Sequence, residues 1–466
     1  MKFSARTFFL AVLIILVILY LKYCREDKPR SPVKEPAFAG YSIHLNGMSV
    51  GELKDTLENG LGIILKPEDL YACPCDSSLV NLKLTGVTIE GHGPARVKTG
   101  TGAVGLDIEY GKNYLLVSNI DSLPRDFIGS WLSALKDSTT GSVKEGRFNP
   151  YSLTAGERTA GTAANIVAIF DSGIHPDLNI SHYPNVLGVD STYRTRLCNP
   201  GMTVATGPQK QIFGINHMHE EGSGPIDYSH IWDHTLNLHG TKVTQLLASQ
   251  RINQPSAPLR VLTMRVLNND NKGDLFSLMC AMSQARKMGA RIFNMSLGYY
   301  GPVDTLFEEH MERLAADKIW VVTAAGNAVD GFDSGDSNLP ENRDLDLRPA
   351  ESRFYPAYFS KNMQHVIAVT SLSGSPDHTC ELQNYGKEVV DVGVVANDCR
   401  FSFMGGTEQV SVSGTSYATP VVAGWLARKK DLDTFANKAD LLNDAPDTAI
   451  LSDKIKGGKY IRANGY

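Results

Sequence analysis

The chain has 466 residues, 42% of them hydrophobic and 20% charged, with a formal net charge of −5. That length exceeds one small core and calls for a large domain with a smaller companion. The mixed-sign charge leaves no basic stripe to neutralise phosphates, which argues against nucleic acid as a partner and leaves polypeptide open.

The opening MKFSARTFFLAVLIILVILYLKYC sets Lys2 and Arg6 before an apolar run from Phe8 to Leu21, the layout of an export signal. No small-residue cleavage site follows, so residues 1–24 are expected to be a signal anchor, a single pass in the cell membrane with the bulk of the chain exported. A cleaved signal peptide and a secreted product is the alternative; a lipoprotein at Cys24 is disfavoured by bulky Tyr23 before it. Residues 25–39 are charged and proline-rich, an extended spacer.

From Gly40 to Ile120, YSIHLNG and SVGELKDTLENGLGI read as strand and amphipathic helix, while LVNLKLTGVTIEG, GLDIEYG and NYLLVSN read as strands. This is a small α+β or β-rich domain, bounded at 40–150, without a catalytic constellation. From Asn165 onward, NIVAIF, RVLTMRVL, ARIFNMSLG, KIWVVTAAGN and HVIAVTSL alternate with helical stretches such as LFSLMCAMSQARKMG and DTLFEEHMERLAAD. Near-continuous apolar strands between helices predict an α/β fold over 151–466, with a mostly parallel sheet covered on both faces. Ligands in such folds sit at the carboxyl ends of the strands, so those ends are where chemistry is sought.

Asp171 ends IVAIFDSGI, where a carboxylate can orient a histidine; alone it also suits an Asx-turn. His239 in HTLNLHGTKV stands where a helix begins, and Gly240 after it lets another chain approach; His234 lacks that setting. Asn327 leaves the strand VVTAAGN, where a side-chain amide can donate to an oxyanion or sit in a turn. Ser416 in SVSGTSYATPVVAG heads a helix whose first N–H groups are unpaired, as a nucleophile or an N-cap would. A plain cap does not require Gly414 before it, Ala418 after it and Pro420 beyond. Four such residues in one order, each at a strand end or a helix head, are hard to assemble by chance.

An odd count of seven cysteines leaves one without a partner inside the monomer. Cys73 and Cys75 are too close for an easy mutual disulfide, with no zinc-spaced His/Cys set nearby. Cys380 and Cys399 can close a loop if the compartment oxidises, or remain buried thiols.

The stretches DSGI, HGT, AAGN and GTSYATP closely resemble the four signatures of subtilisin-like serine proteases, and the similarity runs from about Ala163 to Ala427. The resemblance implies a sheet of about seven parallel strands, peptide bound as an added strand, and endopeptidase chemistry. Carried over, Ser416 is the nucleophile, His239 the base and then acid, Asp171 the orienting carboxylate, and Asn327 with the Ser416 N–H the oxyanion hole. Gly273, Asp274 and Leu275 on one strand, Ser296, Leu297 and Gly298 on another, and Ala325 and Gly326 before the asparagine flank the peptide. A catalytically silent fold of this type, kept for binding peptides, is the rival.

No cofactor is implied for the chemistry. Structural Ca²⁺ is common in the family, and Asp333, Asp336 and Asp346 fall in an insertion after Asn327, but without loop spacing they read as a solvated acidic loop, so no metal residues are assigned. Lys242 replaces the usual second histidine, VDVGVVANDC lacks the family's Ala-Pro-Gly, and a long insertion between Asp171 and His239 is expected to form lid or rim loops. Residues 40–150 sit where the family carries an inhibitory propeptide, and a permanent accessory domain fits the same place.

Overall fold

The computed structural model describes residues 38–118 and 165–463, less 84–85, 91–94, 100–102, 176–185, 188, 190, 200–201, 207–211, 219–225, 236, 251–258, 328–342, 406–407 and 430. The expected signal anchor, most of the spacer, and Asp333 and Asp336 lie outside the described residues. Among the described residues no helix is long and apolar enough to cross a membrane. Residues Pro36–Tyr466 hold together as one compact unit.

The N-terminal part pairs β1 (Phe38–Leu45) with β3 (Asp76–Leu82), which pairs onward with β2 (Leu70–Cys73), all antiparallel. Helix α1 (Val50–Leu61) starts in a capping box between Ser49 and Glu52, ends at Gly62 in the left-handed region, and buries Leu53, Leu57 and Leu61 at four-residue spacing. On the other side of β1 runs β4 (Ile108–Ser118), a single strand where two short ones were expected, because its pairing with β1 continues from Ile108 to Lys112 and, past a register shift, at Tyr114. A small antiparallel sheet of Thr88–Glu90, Ala95–Lys98 and Ala103–Leu106 stands beside it.

The larger part is built on β5 (Ile166–Asp171), β6 (Ile212–Asn216), β7 (Leu259–Arg265), β9 (Ile292–Met295), β11 (Trp320–Ala324), β12 (Val366–Leu372), β13 (Val392–Val395) and β14 (Tyr460–Arg462). They lie in the order β6-β7-β5-β9-β11-β12-β13-β14, every pair parallel, with Ala205–Thr206 antiparallel at the β6 edge. With Val186–Leu187, which also pairs parallel with β7, that is nine parallel strands among the described residues, against about seven expected. The insertion between Asp171 and His239 is in part corrected: IFGIN, expected as rim loop, is the fully buried strand β6, since Ile212 and Ile215 join the core on one face of the sheet and Phe213 the core on the other.

Alternation along β5 supplies both faces of this sheet. Ala168 and Phe170 join the core shared with α3 (Leu275–Lys287) and α4 (Thr305–Ala316), while Val167 and Ile169 join the core shared with α2 (His239–Ser249) and α5 (Thr415–Ala427). Two short strands, β8 (Lys272–Asp274) and β10 (Leu297–Gly301), stand off the main sheet, and both pair antiparallel with β4. Disulfides join Cys75 to Cys198 and Cys380 to Cys399, with Cys73 and Cys280 as buried free thiols.

Candidate active site

Asp171 closes β5 and His239 opens α2, so a strand end and a helix start bring the two together. His239 Nδ1 lies 2.8 Å from Asp171 Oδ1, with both side chains fully buried. The Ser172 backbone N–H donates to the same oxygen at 2.8 Å. This contact is possible because two glycines carry no Cβ. A Cβ on Gly240 would stand 2.4 Å from Gly173 O and 3.1 Å from the Asp171 Cβ, and one on Gly173, at φ +117°, would stand 2.3 Å from Ile231 O. A carboxylate so placed fixes the histidine tautomer and favours an imidazolium.

Ser416 is the second residue of α5, after Gly414 in an extended conformation that L-residues avoid, at φ 139°. The next side chain, Tyr417, lies against the His239 ring with centroids 5.2 Å apart. Helices α2 and α5 pack closely where Gly424 faces Gln250: a Cβ there would meet the Gln250 Cβ at 2.9 Å and Leu247 O at 3.0 Å. Pro420 lies inside α5 and lacks the N–H that would bond the Ser416 carbonyl four residues back. Ser296 Oγ donates to that carbonyl at 2.8 Å instead, and itself accepts from Asn294 Nδ2. Ser296 thus braces the serine turn, where a contact along a bound peptide was expected.

Asn327 is bound to the same helix start. Its Oδ1 accepts the Thr415 N–H at 3.1 Å, which turns Nδ2 to the other side, while Thr415 Oγ1 accepts the Gly326 N–H at 3.0 Å. Asn384 holds the loop from behind, Nδ2 donating to Ala325 O and its own N–H to Gly326 O. Ala325, Gly326 and Asn327 are thereby fixed against α5 before any ligand arrives.

The remaining expected positions split. Gly273 pairs with Leu116 and Asp274 with Leu115; Leu297 pairs with Ser118 and Gly298 with Val117; the Ser118 N–H reaches Asn271 O at 3.3 Å. Asp274 also caps α3, accepting from the Ser277 N–H, and Leu275 is the first residue of that helix, buried in the core. Asp346 is partly buried, accepts the Glu388 N–H and is pushed up by burial; among the described residues no group of three or more His, Cys, Asp or Glu could hold a metal ion.

Residues 162–445 match the Subtilase family. The chain belongs to that family. The subtilase is 28% identical over 334 residues to a thermophilic serine proteinase of Bacillus sp. (strain AK1), covering 69% of this chain and 65% of that one. It is 31% identical over 212 residues to an intracellular serine protease of Paenibacillus polymyxa, covering 44% and 57%. It therefore spans between about half and two thirds of these relatives' length. The epidermin leader peptide processing serine protease of Staphylococcus aureus shares its fold, with a TM-score of 0.50 at 17% identity over 92% of this chain and 97% of that one.

Sequence reasoning left two groups without a role. Asp233 lies six positions before His239 at no motif spacing, and Cys75 and Cys198 are 123 residues apart. Neither carries a motif signal: only the Thr235 turn is local to Asp233, and its contacts with Ser172 and Thr241, like the disulfide, come from tertiary packing.

Proposed function

We propose that this subtilase is a serine endopeptidase. Ser416 Oγ attacks the peptide carbonyl while His239 takes its proton; the C–N bond then breaks, the imidazolium gives that proton to the leaving amine, and water hydrolyses the acyl ester in the reverse sense. Asp171 steadies the imidazolium, and Asn327 Nδ2 with the Ser416 N–H receives the oxyanion. The buried 2.8 Å Asp171–His239 hydrogen bond, set against the start of α5, carries this reading. A fluorophosphonate probe tests it. Covalent labelling of the wild type that disappears in Ser416→Ala is expected; folded protein that never labels would leave a peptide-binding module in its place.

The N-terminal domain, within 40–150, is read as an inhibitor of this site. In support, β4 runs between β8 and β10, the two strands that the family resemblance assigns to a peptide substrate. Two disulfides favour an oxidising compartment, in keeping with an exported chain held at the membrane by Phe8–Leu21, or secreted.

A further inference from the structure

Asp233 is fully buried and its carboxylate is saturated with donors. Oδ1 accepts from Thr235 Oγ1 at 2.6 Å, the Thr235 N–H at 3.2 Å and Ser172 Oγ at 3.1 Å; Oδ2 accepts from Thr241 Oγ1 at 2.7 Å and the Thr241 N–H at 3.0 Å. These contacts have a common destination. Helix α2 begins after Leu238, which sits at φ 49° and offers no side-chain cap, so its first N–H groups need acceptors from elsewhere. The His239 N–H reaches Thr235 Oγ1 at 3.4 Å, the Gly240 N–H reaches Ser172 Oγ at 3.0 Å, and the Thr241 N–H reaches the carboxylate itself. All three end on Asp233, two of them through one hydroxyl. The negative charge stands at the positive end of the helix dipole, on the turn that presents His239.

The same carboxylate governs a proton beside Asp171. Ser172 Oγ has one hydrogen and two carboxylate oxygens in reach, Asp233 Oδ1 at 3.1 Å and Asp171 Oδ1 at 3.3 Å. Drawn to Asp233, that hydrogen leaves Asp171 Oδ1 to the Ser172 N–H and His239 Nδ1. Drawn to Asp171, it would satisfy the carboxylate further and weaken its hold on the imidazolium.

We infer that Asp233 is a positioning residue for the Asp171–His239 pair: it fixes the first turn of α2 and keeps the Ser172 hydroxyl from competing with His239. The inference rests on the triad reading above. Asp233→Asn keeps the volume but turns amide hydrogens toward donors and removes the charge. In the full-length chain, under conditions in which the wild type is labelled, the fluorophosphonate labelling rate should fall by about 10²-fold, the scale expected when reacting groups are held slightly out of place. The far-downfield proton resonance of the His239–Asp171 hydrogen bond should shift or vanish in the same protein, a change that a role in stability alone would not produce. A folded Asp233→Asn chain that labels at the wild-type rate and keeps the resonance would overturn the inference. Should that variant fail to fold, Ser172→Ala and Thr241→Val each remove one arm of the network, and wild-type rates in both overturn it equally. Loss of the triad reading has a different signature: labelling of the wild type is absent or survives Ser416→Ala, and both claims then fall.

Discussion

Asn327 is held by its oxygen, which turns the amide nitrogen away from the start of α5. The Thr415 N–H at Oδ1 and the Gly326 N–H at Thr415 Oγ1 lock the loop and the helix start to each other. A donor fixed in advance costs no reorganisation as negative charge develops. Asn327→Ala is therefore expected to lower kcat by about 10²–10³ with little change in KM, the magnitude taken from the oxyanion donor of subtilisin itself. Steady-state kinetics on a peptide substrate checks this, and an unchanged kcat would assign the oxyanion to another donor. Ser172 and Asp233 belong to the same scale: they touch no substrate in this reading and act through the hydrogen bonds that Asp171 accepts and that the first turn of α2 donates.

Strand β4 meets the starts of α3 and α4 through side chains that replace missing helix bonds. Asn113 Oδ1 accepts the Phe276 N–H at 2.8 Å in the first turn of α3. Asp304 caps α4 through the Phe307 N–H and lies against β4 at Gly111, where a Cβ would stand 2.0 Å from Asp304 Oδ2. Burial lifts the Asp304 carboxyl to about 6, and backbone donors only partly offset it. The native chain then binds a proton that the unfolded chain has released between about pH 4 and pH 6, so stability from this group falls as pH rises through that window. Above it the full penalty stands at about 3 kcal/mol. Asp304→Asn keeps a capping acceptor without the charge. Denaturant unfolding at pH 5 and pH 7 should show the variant gaining on the wild type at the higher pH, and an equal difference at both would remove Asp304 from the pH dependence.

Across the whole molecule, the N-terminal domain is joined to the subtilase part by side-chain contacts, by the β4 pairings and, covalently, by the Cys75–Cys198 disulfide. If the chain is cut anywhere between β4 and β5, the pieces remain one covalent molecule. Electrophoresis of cleaved protein should give one band without reductant and two with it; two bands in both lanes would mean the bond is absent. How much of this was legible beforehand follows the range of each interaction. The standing of Asp171, His239, Asn327 and Ser416 at strand ends and helix heads, and the alternation of strands and helices, were readable because each rests on neighbours within a few positions. The fate of IFGIN, the brace from Ser296 to the Ser416 carbonyl, the convergence of three helix N–H groups on Asp233, and the placement of β4 between β8 and β10 were not. Sequence by itself determined which chemical groups exist and on what local elements they stand, because propensity, capping and periodicity act over a few residues. Only tertiary structure decided which of those groups meet, because hydrogen bonds and disulfides between segments tens to hundreds of residues apart depend on how the elements pack and on glycines that let backbones touch.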